Sequence, residues 1–336
     1  MNHLTRIVGA TAVAIALGGL AGTVGAAEKI TIMVGGINKL IYLPAILTER
    51  LGYFKQEGLD VDVVTEPAGV NAEDEMIAGA VQGVVGFYDH TIDLQSKGTE
   101  VVSLVQLTRT PGEVELVSTR DAARIRTPAD LKGRVLGVTD LGSSTDFLTQ
   151  YLMTGAGLSR HDYTMVAVSA GTTFIDAMRN HRIAAGMTTD PTAAVLLAGG
   201  EAKILVDLRT EAGTRAALGG DYPAGCLYMP SAWVESHRGD AGKLVRAFVK
   251  TLHYIHSHSA SQIVALLPPS YYGRHRALYT TALEAFLPMF SSDGRMPADG
   301  PANVLRLLST IEPSVKSGYV DLSKTYTSDF VDAAAH

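Results

Sequence analysis

The sequence predicts an α/β fold of two lobes, each a mainly parallel sheet flanked by helices, with a two-strand hinge between them. Three observations predict it. Short apolar runs alternate with helical patterns over residues 29–207, and that alternation implies parallel strands with helical crossovers. The series pauses near residue 112 and then restarts, so there are two units and not one long sheet. After residue 230 the chain is mostly helical, and a helical tail of that size packs most simply on the first lobe. The chain then crosses between lobes twice, through 114–119 and 224–230, and two crossings make a natural hinge.

The elements follow in order. Lys29 to Val34 reads as a strand, and a Gly35-Gly36 turn follows. Leu40 to Leu51 reads as a helix with Pro44 in its first turn, where a missing N–H costs little. Leu59 to Val64 alternates with period two, a strand. Residues 72–82 read as helix, 83–87 as strand, 91–97 as helix and 101–107 as strand. The second series has strand 114–119, a capped turn at Thr127 to Gly133 and strand 134–138. Helix 144–155, strand 163–168, helix 172–180, strand 183–187, helix 191–198 and strand 203–207 complete it. Strand 225–229 leads to helices over 231–237, 240–258, 259–267, 273–290 and 301–310. The tail beyond Asp321 is polar and is expected to fray. The expected division is a leader at 1–27, a first lobe at 28–112, a second lobe at 113–224 and a return to the first lobe at 225–336.

The chain of 336 residues is 46% hydrophobic and 18% charged, enough to bury a substantial core. A net charge of −6 gives no reason to expect nucleic acid or an anionic membrane as partner. The N-terminus reads as a cleaved export signal: Arg6, an apolar stretch from Ile7 to Leu20, then small residues around Ala26 and Ala27. No Cys near the cleavage site could carry a lipid, and the single Cys226 forbids an intramolecular disulfide. No later segment is long and apolar enough to span a bilayer. An exported, unanchored, disulfide-free two-lobe protein suits a bacterial periplasm.

The order of several short motifs carries a resemblance. They are Pro44, Leu51-Gly52-Tyr53-Phe54, Glu57-Gly58-Leu59-Asp60-Val61, Ala78-Gly79, Gly83 and Gly86-Phe87. Thr127-Pro128-Ala129-Asp130-Leu131-Lys132-Gly133, Gly142-Ser143-Ser144, Ala156-Gly157-Leu158 and Asp190-Pro191 follow. In this order the chain resembles the type II periplasmic solute-binding proteins of ABC importers. The branch is the one shared by sulfonate, taurine and nitrate binders and by thiamine-pyrimidine proteins. The resemblance covers roughly residues 29–260 and implies a ligand held in the cleft between the lobes. Partners implied are a small-molecule solute and an inner-membrane permease with its ATPase; no cofactor and no metal are implied.

Ligands of open parallel sheets sit beyond the carboxyl ends of strands. Here those ends hold Asn38 and Tyr42, Gly69, Tyr88 to His90, Gln106, Gly142 to Thr145, and Thr189 with Asp190. Gly142-Ser143-Ser144-Thr145 opens a helix, whose free N–H groups and partial positive charge suit an anion; the resemblance places the ligand's anionic group there. The plain alternative is that Ser143 or Ser144 only caps the helix. Tyr88, Asp89 and His90 offer the cleft a ring face, a carboxylate and a titratable donor, or else Asp89 caps a helix and His90 is solvated. Relatives usually carry an acid earlier in that strand, where this chain has Val84-Val85. Tyr42 either meets the ligand or packs on its lobe. Asp190 either contacts a ligand, welcoming an ammonium or amidine, or caps the helix starting at Pro191.

His253 and His256 share a helical face with no acid or thiol nearby, so a solvated surface is expected over a metal site. Cys226 reads as core, and Trp233 as lobe packing. No phosphate-binding loop, dinucleotide fingerprint, nucleophile elbow or zinc-protease helix is present. The thiamine-pyrimidine branch makes its product with a Cys-rich segment and a cofactor lysine; one Cys argues against that activity. The sequence therefore points to a binding protein and not an enzyme. It would take up a small organic solute bearing a sulfonate or carboxylate, with a thiamine pyrimidine precursor or other amine-bearing solute as alternative. A sensor module of the same fold is the other class.

Overall fold

The computed structural model describes residues 29–334, so the expected leader at 1–27 lies outside the described residues. Ten strands form two five-stranded sheets. β1 (Lys29–Val34), β2 (Asp60–Thr65), β3 (Gly83–Phe87) and β4 (Val101–Gln106) belong to the first sheet. β5 (Glu113–Ser118), β6 (Val135–Val138), β7 (Thr164–Ala167), β8 (Ala185–Thr189) and β9 (Ala202–Asp207) form the second. β10 (Gly225–Pro230) returns to the first sheet. The strand orders are β2-β1-β3-β10-β4 and β7-β6-β8-β5-β9. Each sheet thus repeats one plan, and its single antiparallel strand is the one that has crossed over. The expected two-lobe α/β architecture is the observed one.

Both crossings are central strands because their residues suit burial. β10, Gly-Cys-Leu-Tyr-Met-Pro, is buried over its first five residues and pairs with β3 on one side and β4 on the other. β5, Glu-Val-Glu-Leu-Val-Ser, is buried throughout. Side chains alternate across a strand. Val114 and Leu116 therefore enter a small apolar cluster with Phe174, Met178 and Leu196. Glu113 and Glu115 face the other way.

The two crossings run side by side. Leu107 N–H and Thr108 N–H both donate to Gly225 O, and Gly225 N–H donates to Thr108 Oγ1 at 2.7 Å. Gly112, the last residue before β5, has φ +66°, and a Cβ there would lie 2.8 Å from the Phe286 ring. Both facts demand glycine.

The helical tail packs on both lobes, not only on the first. Helix Arg238–Ser257 lies on helices Leu43–Arg50 and Tyr53–Gln56 of the first lobe. Helix Gly300–Ile311 touches Asp89–Ser96 of the first lobe and also Ser144–Gly155 of the second. Arg306 of that helix donates to Tyr151 Oη at 3.0 Å and to Leu218 O at 2.6 Å. The expectation of a fraying end is corrected: Ser103 N–H donates to Thr325 O, and helix Asp329–Ala334 buries Phe330 and Val331. Helix Glu211–Leu218 was not expected; Thr210 Oγ1 caps it and Gly219, at φ +75°, ends it. Cys226 and the Trp233 stack on His237 match the expected core and packing roles. No helix among the described residues is long and apolar enough to cross a membrane.

Gly112→Ala is expected to destabilise the protein by about 1–2 kcal/mol from the left-handed backbone alone, with the Phe286 contact adding to it. Urea unfolding of the pure variant checks this; an unchanged midpoint would mean the crossing is looser than described.

Candidate functional site

Where the lobes meet, the C-terminal ends of both sheets enclose a small chamber. Its lining from the first lobe is Lys39, Ile41, Tyr42, Gly69, Phe87 and His90. From the second come Glu113, Thr139, Ser143, Ser144, Thr145 and Thr189. The chamber measures about 10 Å3, room for one water-sized body. Outside it lies a groove of about 560 Å3 between Gly36–Lys39 and Thr65–Pro67 on one side and Ser169–Gly171 and Pro191 on the other. Lys39 lines both spaces. A further recess of about 320 Å3 continues past Thr192 to Tyr271, Tyr272 and Tyr279.

The second-lobe wall is the turn after β6. Gly142, at φ +80°, lets the chain double back. Its N–H donates to Asp146 Oδ2 at 2.8 Å. Ser143 Oγ donates to Asp140 O at 2.7 Å and receives the Thr139 hydroxyl at 3.1 Å. Thr145 Oγ1 receives Thr139 N–H at 2.9 Å. Neither serine side chain caps the helix: Ser143 makes no cap hydrogen bond, and Ser144 Oγ donates to Asp89 Oδ1 at 2.7 Å. The Ser144 and Thr145 N–H groups find no protein acceptor among the described residues. These two amides are the free donors of the helix tip.

The first-lobe wall is a chain of buried charges. Asp89 and His90 open helix Asp89–Ser96, two residues earlier than the sequence pattern indicated. Asp89 is fully buried and accepts Ser144 Oγ and Tyr222 Oη, both at 2.7 Å. Burial pushes its carboxyl upward, against His90 and the two hydroxyls. His90 Nδ1 lies 2.9 Å from Glu73 Oε2, an ion pair at an angle that does not meet hydrogen-bond geometry. Burial opposes a charged imidazole here, but Glu73, with Asp89 and Asp93, outweighs it and holds His90 near 9. Tyr42 stands edge-on to Phe87, with Lys39 over its ring. Gly69 leaves room: a Cβ there would sit 3.4 Å from His90 Nε2 and 3.6 Å from Tyr42 Oη.

Sequence reasoning missed Lys39 and Glu113. Lys39 is buried, its Nζ 3.4 Å from Pro67 O, and burial brings it down to about 8 against the pull of Glu113. Glu113 is buried, and its carboxyl makes no hydrogen bond. Burial and the nearby Asp89 carboxylate push it well above the usual range. One pleat deeper, Glu115 receives the Thr149 hydroxyl at 3.2 Å, and burial lifts it to about 8.

Among the expected residues, Tyr42, Gly69, His90, Ser143, Ser144, Thr145 and Thr189 line the chamber. Asp89 stands just behind Ser144, and Gly142 shapes the turn. Asn38 is exposed and lines the outer groove. Three are corrected. Tyr88 turns to the C-terminal segment, where its hydroxyl meets Thr325 and its ring Tyr326. Gln106 donates to Thr108 O and Gly225 O, bracing the crossing. Asp190 receives Ala194 N–H at 2.9 Å and pairs with Arg209 at 3.3 Å; both oxygens are committed, so the capping reading prevails. Its backbone O still receives Leu40 N–H across the cleft. His253 is exposed, as expected of a solvated face. His256 and His258 are bound up with Phe290 O, Ser291 O and the Tyr254 ring, and no metal cluster occurs among the described residues.

Residues 42–261 match the model of the family described as NMT1/THI5 like, so the chain belongs to that family. A solved structure of a protein from Bordetella bronchiseptica RB50 is 34% identical and has a TM-score of 0.87; the match covers 91% of this chain and 96% of that one. The periplasmic aliphatic sulphonate binding protein SsuA from Escherichia coli shares the fold at a TM-score of 0.68 and 19% identity, over 91% of this chain and 99% of its own. YtlA of Bacillus subtilis (strain 168), named as a candidate binding protein, is 20% identical over 74% of this chain and 73% of its own.

Glu115 keeps its proton to about 8 in the native state, against an ordinary value of 4.5. Between those values the folded chain binds more protons than the unfolded one, so stability falls as pH rises through that window. His90, held near 9 against 6.5, adds a fall of the same sign between 6.5 and about 9. Glu115→Gln should therefore flatten the decline of melting temperature between pH 4.5 and 8; a profile parallel to wild type would refute a proton held at Glu115.

Proposed function

We propose that this member of the NMT1/THI5-like family captures a small organic solute between its lobes in the periplasm. It then presents the closed form to an inner-membrane permease driven by an ATPase. The observation that carries this is a polar chamber walled by both lobes at once and lined by Ser144 and Thr145, whose amides have no protein acceptor among the described residues. A site split between two bodies is complete only on closure, and a solute binding the closed form shifts the population toward it. The solute's acidic group, a sulfonate or carboxylate, would take the two amides, with Lys39 as counter-charge. At about 10 Å3 the chamber admits such a group only when its walls part. A reaction through Cys226 finds no support: burial first, then Asp89, raises its thiol to about 12 despite Ser103.

The deciding experiment is a thermal-shift screen of sulfonates, amino acids, aromatic acids and pyrimidines. A ligand at a hundred times its Kd adds about 2.7 kcal/mol to stability. Gly69→Ala should leave the free protein's melting temperature within a few degrees and remove the ligand's shift, because its methyl enters the chamber beside His90 and Tyr42. An undiminished shift in that variant would move the site elsewhere. Scattering should show a smaller radius of gyration with ligand, and the ligand should be recovered unchanged; turnover would overturn the reading.

A further inference from the structure

We propose that Glu113 is the specificity-determining residue of this chamber, selecting solutes that carry a hydrogen-bond-donating nitrogen, above all a protonated amine. The inference rests on the capture reading and adds the second half of the solute's chemistry.

The argument begins with what each buried acid is doing. Glu73 is occupied by the His90 imidazole at 2.9 Å. Asp89 accepts two hydroxyls at 2.7 Å, one on each oxygen. Glu115 holds the Thr149 hydroxyl at 3.2 Å. Glu73 and Glu115 each also keep one oxygen without a hydrogen bond, but Glu113 alone of these four lines the chamber; it is 2% exposed, and its Oε2 has no hydrogen-bond partner. A buried carboxyl without a partner costs several kcal/mol unless something supplies donors. Lys39 and His90 act on it through space without a hydrogen bond: Lys39 donates instead to Pro67 O, and His90 pairs with Glu73. Thr189, the other side chain of that wall with an unpaired oxygen, adds a second polar contact at the same side.

Placement supports the assignment. Glu113 is the first residue of β5, where the chain crosses from one lobe to the other. Its backbone pairs with Thr189 and its neighbour Val114 with Thr188 and Asp207. A side chain on a central strand is held rigidly, as a discriminating group must be. The chamber then has two poles: amides at Ser144 and Thr145 for an acidic group, and the Glu113 carboxyl for a nitrogen. A solute lacking that nitrogen leaves the carboxyl buried and unpaired, and a site built to be hydrogen-bonded rejects such an analogue strongly.

The test uses matched pairs on the full mature chain: 2-aminoethanesulfonate against ethanesulfonate, 3-aminopropanoate against propanoate, and 4-aminopyrimidine against pyrimidine. Affinities are measured by calorimetry for wild type, Glu113→Gln and Glu115→Gln. Glu113→Gln keeps the shape and removes the acid that can give up its proton to an amine. In wild type the aminated member of at least one pair should bind tenfold or more tightly than its partner. That ratio should fall toward one in Glu113→Gln and persist in Glu115→Gln. Equal binding within every pair that binds, or a ratio that survives Glu113→Gln, overturns the role of Glu113 while leaving capture intact. No binding by any of the six compounds at 10 mM would overturn the capture reading and this inference with it.

Discussion

The structure depends on keeping one carboxylate satisfied out of water. Asp89 sits at the N-terminus of a first-lobe helix, fully buried. One oxygen takes the Ser144 hydroxyl of the second lobe and the other takes the Tyr222 hydroxyl on the return crossing. Three parts of the chain, far apart in sequence, therefore share one charge. Breaking either contact would strand a buried acceptor, which costs about 1–3 kcal/mol. Asn71 Nδ2 to Asp140 Oδ2 at 3.1 Å and Leu40 N–H to Asp190 O at 3.0 Å join the same two lobes nearer the mouth. Polar links thus join the lobes at several points, alongside an apolar cluster that runs through both. At each polar link water can replace the partner when the lobes part, which lowers the cost of breaking it.

That polarity explains where the sequence was legible and where it was not. The sheets were legible because alternating strands and helices leave few topologies. Helix Ser144–Gly155 was legible to the residue because Gly142 and the hydroxyls before it are start signals in themselves. Glu113 was hidden by the same kind of rule. Glu-Val-Glu-Leu-Val-Ser reads as a strand with one face in water. As a central strand it has no face in water, and its charged side faces the chamber and helix Ser144–Gly155 instead. Lys39 was hidden because a lysine in a loop is ordinarily solvated; here it is buried against Pro67 and Tyr42 and lines the chamber with second-lobe residues. The tail misled in the opposite sense. Phe330 and Val331 are a short apolar pair in polar surroundings, yet they suffice to dock the last helix on Arg238–Ser257.

Asp190 illustrates how one residue type carries two readings until its neighbours are known. Before a proline, at a strand end, it could cap or it could contact a ligand. Arg209 decides the matter, since its guanidinium holds both Asp207, at 2.8 Å, and Asp190, at 3.3 Å. No local pattern in the sequence links residue 190 to 209. The pairing exists because β9 places Asp207 and the residues after it beside β5, in register with Val114, and β5 in turn lies beside the end of β8.

The tail helices set a limit on how the lobes can move. Helix Gly300–Ile311 touches both, and Arg306 reaches Tyr151 Oη and Leu218 O of the second lobe. The chamber lies beside the crossings as well: Glu113, the first residue of β5, lines it, and Asp89 behind it takes the Tyr222 hydroxyl. A rotation about the paired crossings must carry the Arg306 contacts with it, and those run through one long side chain. Long flexible side chains such as arginine tolerate small displacements that a packed core would not. β5 and β10 each lie beside an edge strand of their sheet and run antiparallel to both neighbours, so the two lobes are built on one plan around the paired crossings.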